Sequence, residues 1–360
     1  MYSLVFNRFP FPSSLYKYAV DLYEANRGKS QLLNIVTNQT RWQTKHSGRN
    51  VNVSLSNHFF ISGIMSRFTF MNARKLIEDY DRANEDIIVH MVSPFANPSF
   101  AKGFPITVSV HDSPESMFKK EEYRRLSESH TSYSLRMKMT KIFYNEAMKL
   151  PYLCVNSKHI ADALKDYGYN GSIFVLYPPV SETFYKIDGK ERLRKKLNLP
   201  IDRALILSVS TDEVRKNVEM VKKVAIRLKD WATVVRIGSD IGSDYTFSNI
   251  DTATVNLLYN ACDLLLMPSL EEGFGYPLVE AFKTGLPVVA SDIDVFHEVA
   301  GDAAVYVDPL NLEDVLRGIN EAIEYKQPII SKGEHRSEMF EMNIFSKKLK
   351  LLYEELLKKL

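Results

Sequence analysis

The run Leu264-Leu265-Leu266-Met267-Pro268-Ser269-Leu270-Glu271-Glu272-Gly273-Phe274-Gly275-Tyr276-Pro277-Leu278-Val279-Glu280-Ala281-Phe282 passes from a short apolar segment, through a loop with two glycines, into helical spacing. It reads as a strand, Leu264 to Met267, followed by a helix from Leu278 to Thr284. In an open parallel sheet, ligands sit beyond the carboxyl ends of the strands. Gly273 and Gly275 let backbone N–H groups come close to a ligand there. A helix starting near Pro277 or Leu278 turns its positive N-terminus to the same place, which suits a phosphate or a sugar oxygen. Glu280, placed by this reading inside the first turn, is a candidate acceptor for the paired hydroxyls of a ribose. Glu272, on the loop, is a candidate acceptor for hydroxyls of a sugar ring. Each carboxylate alone also has an ordinary explanation: Glu280 complements the helix dipole, and Glu272 is a solvated loop charge.

The same grammar extends outward in both directions. On the N-terminal side lie a basic helix Lys190 to Leu197, a strand Ala204 to Val209, a helix from about Asn217 to Leu228, a strand Thr233 to Ile237 and a helix Val255 to Ala261. On the C-terminal side follow strands Val288 to Ala290 and Ala304 to Val307 and a helix Leu312 to Tyr325. The first half repeats the alternation, with strands at Tyr2 to Phe6, Leu32 to Val36, Asp86 to Val92, Ile106 to Val110, Tyr152 to Asn156 and Ile173 to Leu176. Ser13 or Ser14 is expected to cap a helix from Leu15 to about Ala25, and Ser157 one running to about Tyr167. Strands alternating with helices this regularly predict an α/β chain with parallel sheets covered on both faces. Tyr177-Pro178-Pro179-Val180 is a stiff extended connector. It divides the chain into a first domain, 1–177, and a second, 178–342. A terminal helix within 343–360, apolar at Phe345, Leu349, Leu352, Leu356 and Leu360, is expected to pack on a domain surface, and a crossing back to the first domain is left open.

Composition narrows the function classes. The chain has 360 residues, 45% apolar and 25% charged, with 46 basic against 44 acidic side chains, the profile of a globular protein of two domains. A net charge of +2 argues against a dedicated nucleic-acid binder. Cys154 and Cys262 stand in apolar surroundings and are expected to be buried small hydrophobes. The first residues lack the pattern of a signal peptide, and no apolar run approaches the ~20 residues that span a bilayer. A cytoplasmic location follows as the expectation, with peripheral membrane contact left open.

The stretch from Pro268 to Phe282, continued by Gly285-Leu286-Pro287-Val288-Val289-Ala290-Ser291, resembles the donor-site signature of the retaining GT-B glycosyltransferases known as family 4. Val209-Ser210-Thr211-Asp212-Glu213-Val214-Arg215-Lys216-Asn217 is similar to that family's diphosphate-binding loop. Leu257 to Asp263, Gly301 to Pro309 and Val155-Asn156-Ser157 resemble it in the same order. The resemblance covers the second half continuously and the first half in patches. It implies two Rossmann-like domains facing each other across a cleft, the second holding a nucleoside-diphosphate sugar and the first an acceptor. It implies further that Lys216 and Arg215 bind the donor diphosphate, a role that basic side chains at a loop before a helix suit physically. Gly273, Phe274 and Gly275 join Glu272 and Glu280 as donor contacts. Many relatives also carry an arginine near the position of Ser210, and this chain does not.

In the first half, Val108-Ser109-Val110-His111-Asp112-Ser113-Pro114 resembles the family segment whose histidine lies near the transferred sugar. His111, with Glu272 and Lys216, is therefore a candidate catalytic residue. Asp112 is read as a cap or turn residue that could face the acceptor. The loop Asn7 to Ser14 stands where relatives often carry a glycine-rich turn. It has Pro10 and Pro12 instead, and Ser13 and Ser14 are candidate sugar or acceptor contacts as well as caps. Asp292-Ile293-Asp294 has the spacing of a metal-binding pair, but its place after a strand and the basic diphosphate site favour coincidence, so no metal and no cofactor is expected. The cluster from Phe59 to Phe68 and the basic run Lys190 to Lys196 are candidates for contact with a lipid-linked acceptor or a membrane. The expected reaction is transfer of a sugar to a hydroxyl of a glycan, lipid-linked or protein-linked acceptor, with retention implied by the resemblance alone. A nucleotide-sugar epimerase, a phosphorylase and a silent nucleotide-sugar binder are the alternatives.

Overall fold

The structure is a computed structural model, and it describes residues 1–7, 13–36, 49–52, 74–82, 86–94, 98–116, 138 and 141–358. The chain divides into two compact units, Met1–Pro178 together with Met342–Leu360, and Pro179–Glu341.

Among its described residues the first unit has seven parallel strands in the order β3-β2-β1-β4-β5-β6-β7. These are β1 Tyr2–Asn7, β2 Ser30–Val36, β3 Arg49–Asn52, β4 Ile87–Met91, β5 Ile106–Val110, β6 Tyr152–Val155 and β7 Ser172–Val175. The alternating side chains of a strand supply opposite faces. Leu4, Phe6, Val89 and Met91 enter one apolar cluster, and Val5 and Ile88 enter another. Both faces are covered, which explains why the central strands read as unbroken apolar runs.

The second apolar cluster also contains the terminal helix. That helix, Met342–Leu357, begins three residues earlier than its first apolar position suggests and buries Phe345, Leu349, Leu352, Tyr353 and Leu356. It packs beside the helix Ser14–Ala25, and each large side chain so buried contributes about 1.5–3 kcal/mol. Leu360 lies outside the described residues. A polar network fixes the register of this helix. His90 is buried in β4, with Nδ1 3.0 Å from the Tyr353 hydroxyl and Nε2 2.7 Å from the Ser109 hydroxyl. Burial first, and His111 second, lower its pKa to about 3, so the imidazole stays neutral with both ring nitrogens partnered.

The second unit carries six parallel strands in the order β10-β9-β8-β11-β12-β13. Its strands are β8 Ala204–Val209, β9 Ala232–Ile237, β10 Tyr245–Phe247, β11 Leu264–Met267, β12 Val288–Ser291 and β13 Val305–Val307. Two edge strands, β3 and β10, were not expected from the sequence; both are short and lack an apolar run. Helices Asp294–Ala300 and Lys326–Ser337 were likewise not expected. The former is one of the shortest helices, and the latter is amphipathic only weakly, with Gly333 and Ser337 as its buried residues.

In each sheet the strand order reverses once, between β1 and β4 in the first and between β8 and β11 in the second. Loops leaving neighbouring strands at such a point diverge and open a crevice beyond the strand ends. Cys154 and Cys262 are buried free thiols. Among the described residues no helix is long and apolar enough to cross a membrane.

Candidate functional site

The two loops at the reversal point of the second sheet are tied together. Beyond β8 the chain makes a single helical turn at Val214–Lys216. Asn217 then takes a left-handed backbone, φ 52°, and caps the helix Val218–Leu228. Asparagine tolerates that conformation better than most residues, and its side-chain amide donates to the carbonyl of Pro309 at 2.8 Å. Beyond β11, the Leu270 N–H donates to the carbonyl of Arg215 at 2.7 Å. The β8 and β11 loops thus share a backbone hydrogen bond before any side chain is considered.

Their side chains converge on Glu272. Lys216 Nζ lies 2.5 Å from Glu272 Oε1, and the Ser269 hydroxyl donates to the same oxygen at 3.0 Å. Arg215 Nη1 donates to Glu272 Oε2 at 3.1 Å and to the carbonyl of Glu271 at 3.3 Å, while its Nε pairs with Glu213 at 2.7 Å. Glu272 is buried. Burial raises its pKa most, but Lys216, Arg215 and the hydrogen bonds together outweigh burial and hold the carboxyl below its ordinary range. The solvated loop charge considered from sequence is therefore corrected: Glu272 is the anionic centre of a buried ion cluster. Arg215 and Lys216 share the buried Glu272, and the exposed Glu213 also pairs with Arg215, so the two cations are balanced by two carboxylates, of which one is buried. A carboxylate offers about four acceptor positions. Three are taken by described residues, which leaves capacity for one further donor.

Glu280 is corrected as well. The helix runs Tyr276–Thr284 with Gly275 as its N-cap, so Glu280 lies in the second turn, too deep to meet the open N–H groups of the helix end. Its carboxylate is buried, and Oε2 accepts from the Tyr259 hydroxyl at 2.9 Å. Burial and the neighbouring Glu280 raise the Tyr259 pKa well above its ordinary value, so the phenol remains a donor. Gly275 has φ +95°, and a Cβ there would stand 2.9 Å from the Phe296 ring; the loop turns into the helix at a point where only glycine fits. Phe274 is buried with its ring edge-on to Tyr276 and Phe340, so what it can offer a ligand is backbone.

The first unit places its candidates at the start of the helix Ser14–Ala25 and just beyond β5. The Ser13 hydroxyl accepts from the Tyr16 N–H at 3.1 Å and caps the helix Ser14–Ala25, while Ser14 is exposed at its first position. His111 follows β5, donates from Nε2 to the carbonyl of Val92 at 2.9 Å and meets the Tyr18 ring edge-on at 4.6 Å. That bond fixes the tautomer, because a carbonyl can only accept, and it makes Nδ1 the acceptor nitrogen of the neutral ring. Asp112 is in a bend, and capping falls to Ser113, whose hydroxyl accepts from the Ser116 N–H at 3.0 Å. Pro10, Pro12 and the aromatic cluster from Phe59 to Phe68 lie outside the described residues. In the second unit, Asp292 sits 2.5 Å from His297 Nε2, and Asp294 opens a helix.

Three site residues were not singled out from sequence. Ser269 carried no signal beyond its three-residue spacing from Glu272. Tyr259 lay inside a recognised segment without an assigned role. Arg236 had the clearest signal, a charge within the apolar run of β9, since arginine is seldom fully buried.

Residues 189–339 match the family model described as glycosyl transferases group 1. The O-antigen chain mannosyltransferase RfbU of Salmonella typhimurium is 27% identical over 219 residues, covering 56% of this chain and 56% of that protein. The matched region thus spans little more than half the length of that curated relative. The solved structure of HepE from Anabaena in complex with UDP-glucose is similar with a TM-score of 0.77 at 16% identity, covering 100% of both chains. Sucrose-phosphate synthase from Thermosynechococcus elongatus is similar with a TM-score of 0.76 at 16% identity, covering 99% of both. At such identities the likeness shows the fold, which is GT-B.

Proposed function

We propose that this chain, which through residues 189–339 belongs to the group 1 glycosyl transferases, transfers a sugar from a nucleoside-diphosphate sugar to an acceptor hydroxyl. The observation that carries the reading is the pair of adjacent cations, Arg215 and Lys216, held by the buried Glu272 at the reversal point of the second sheet. Strand-end crevices take nucleotides, and a guanidinium beside an ammonium suits a diphosphate. In the reaction the acceptor oxygen bonds to the anomeric carbon as the bond from that carbon to the phosphate oxygen breaks, the electron pair leaves on the diphosphate, and the acceptor hydroxyl gives up its proton to the departing phosphate oxygen. Lys216 and Arg215 stabilise that developing charge by preorganised electrostatics. Glu272, already paired with both cations, is assigned to holding them and one sugar hydroxyl rather than to attacking the anomeric carbon. Glu280, oriented by Tyr259, takes the ribose hydroxyls. The acceptor side is assigned to the first unit, through His111, Asp112, Ser13 and Ser14. Retention of anomeric configuration is assigned on the family resemblance alone, and the anomeric proton coupling of the product tests it.

RfbU is named as acting on an O-antigen chain, and HepE was solved with UDP-glucose. Those names support a carbohydrate-chain acceptor and a nucleotide-sugar donor while differing on the sugar. A panel of uridine, guanosine and adenosine diphosphate sugars, carrying glucose or mannose, decides between them. A ligand that binds only the folded protein raises the unfolding midpoint. Absence of any shift across the panel, together with no release of nucleoside diphosphate in the presence of acceptors, would refute the reading.

Two further outcomes are expected. Turnover persists in excess chelator, because basic side chains neutralise the diphosphate; complete loss restored by magnesium or manganese would return Asp292 and Asp294 to consideration. Glu280→Gln weakens the nucleotide sugar and the bare nucleoside diphosphate equally, by about 1–2 kcal/mol, since the ribose is common to both and one charge-assisted contact is lost. Calorimetry with each ligand checks this, and a loss confined to the nucleotide sugar would move Glu280 to the sugar instead.

A further inference from the structure

Arg236 belongs to β9, one strand removed from β8, and its side chain is fully buried. Its guanidinium donates to four oxygens around the start of the β8 loop. Nη1 reaches the hydroxyls of Ser208 and Ser210 at 3.0 and 2.8 Å. Nη2 reaches the carbonyls of Ser210 and Thr211 at 2.6 and 3.3 Å. None of these partners is a carboxylate, and Nε is buried without a partner. A core position can be filled more cheaply by an apolar side chain, because a buried cation loses its hydration and regains only part of it from neutral dipoles. The cost falls where the loop bearing Arg215 and Lys216 begins.

Gly238 gives a second, independent sign that this corner is built to a close tolerance. It has φ +148°, and a Cβ there would lie 2.2 Å from the Ser210 carbonyl oxygen and 3.0 Å from Arg236 Nη2. Glycine is what allows the end of β9 to close on the loop and its guanidinium.

We propose that Arg236 is a positioning residue of the donor site, which holds the Ser210–Thr211 backbone from the core side and lends a buried positive charge to the seat of the donor diphosphate. The inference rests on the nucleotide-sugar reading given above. By drawing the two carbonyl oxygens inward it fixes the path of the chain toward Lys216. Asp212 is a charged neighbour of the guanidinium without a hydrogen bond to it, and in a medium of low dielectric the charge of Arg236 is screened less than that of a surface lysine.

The test is titration of the folded protein with uridine, guanosine and adenosine monophosphates and diphosphates, for wild type, Lys216→Ala, Arg236→Met, Arg236→Lys and Gly238→Ala. The affinity gained on adding the second phosphate should fall about tenfold in Arg236→Met, a loss suited to one charge-assisted interaction. Arg236→Lys should recover part of it, because charge is kept and the fork is lost. Gly238→Ala should lower the same gain with the guanidinium intact. Equal weakening of monophosphate and diphosphate in Arg236→Met, or no weakening, overturns the proposal while Lys216→Ala still marks the donor site. Should Arg236→Met fail to fold, an unchanged gain in both Arg236→Lys and Gly238→Ala overturns it. If wild type and Lys216→Ala bind all six nucleotides alike, the donor-site reading itself has failed, and this inference falls with it.

Discussion

Glu272→Gln is expected to destabilise the second unit and slow transfer while leaving the bare nucleoside diphosphate bound as well as before or more tightly. The side chain of Glu272 is 6% exposed, and those of Arg215 and Lys216 are 15% exposed each. Removing one partner of a buried pair leaves the other charge uncompensated, at a cost of about 2 to 4 kcal/mol when, as here, the cations keep some contact with solvent. Denaturant unfolding reads that cost. Turnover should fall about a hundredfold, because the sugar loses a hydroxyl partner and the cations lose the carboxylate that fixes their geometry. An added diphosphate supplies the missing anion, so it should raise the unfolding midpoint more in the variant than in the wild type. Acid gives a parallel result. The folded pKa of Glu272 lies below its ordinary value of 4.5, so the unfolded chain takes up the proton first as pH falls. The contribution is fully present above that ordinary value and is lost as pH drops through the lower, folded one. A Glu272→Gln protein that melts, binds and turns over like the wild type would leave the cluster without a role.

The residues of this cluster were legible in the sequence because each stands at a strand end and the strands themselves announce where they stop. Leu264 to Met267 is unbroken apolar sequence followed at once by Pro268, and Ala204 to Val209 ends as abruptly at Ser210. Strand ends at a reversal of strand order must lie side by side, so Lys216 and Glu272 meet although 56 residues separate them. Their pairing in the absence of ligand was not legible, because motif spacing says which side chains share a loop and nothing of which of them neutralise each other. Glu280 was assigned to the first turn rather than the second because the helix starts one or two residues earlier than expected, for a local reason. Pro277 suggested a helix start at its own position, whereas the left-handed Gly275 caps the helix and starts it at Tyr276.

The partners of Arg236 and of His90 were hidden for a different reason. Alternation along a strand identifies a buried face, but it gives no partner for a polar residue on that face. The partners of His90 come from Tyr353, 263 residues away, and from Ser109, 19 residues away. The terminal helix was visible as an apolar stripe, while the surface that covers it emerged only from the sheet of the first unit, to which Val5, Ile88 and Cys154 contribute. β3 and β10 are edge strands held by one neighbour each, so little apolar sequence is needed to keep them. Strands of that kind leave a faint pattern.

Lys216→Ala should produce the largest loss of donor affinity of any single substitution in the cluster. Lys216 contributes one of the two cations, and its short contact with Glu272 Oε1 holds it at the end of the β8 turn rather than in solvent. A charge-assisted contact to phosphate is worth about 1.5 to 3 kcal/mol, so calorimetry with the free nucleoside diphosphate should show a dissociation constant about tenfold to a hundredfold higher. The loss should appear equally with the nucleotide sugar, since the diphosphate is common to both, and turnover should fall further because charge on the leaving group grows in the transition state. Lys216→Arg should restore binding better than turnover, because the guanidinium keeps the charge but carries a different donor geometry. The double variant Lys216→Ala with Glu272→Gln separates the two roles of the lysine. If its main work is to satisfy Glu272, the two substitutions compensate and the double variant is more stable than Glu272→Gln alone would predict. If its main work is to hold the diphosphate, the affinity loss persists undiminished in the double variant, since no carboxylate remains to be relieved. Unchanged nucleoside-diphosphate affinity in a folded Lys216→Ala protein would remove Lys216 from the donor site and leave Arg215 as its principal cation.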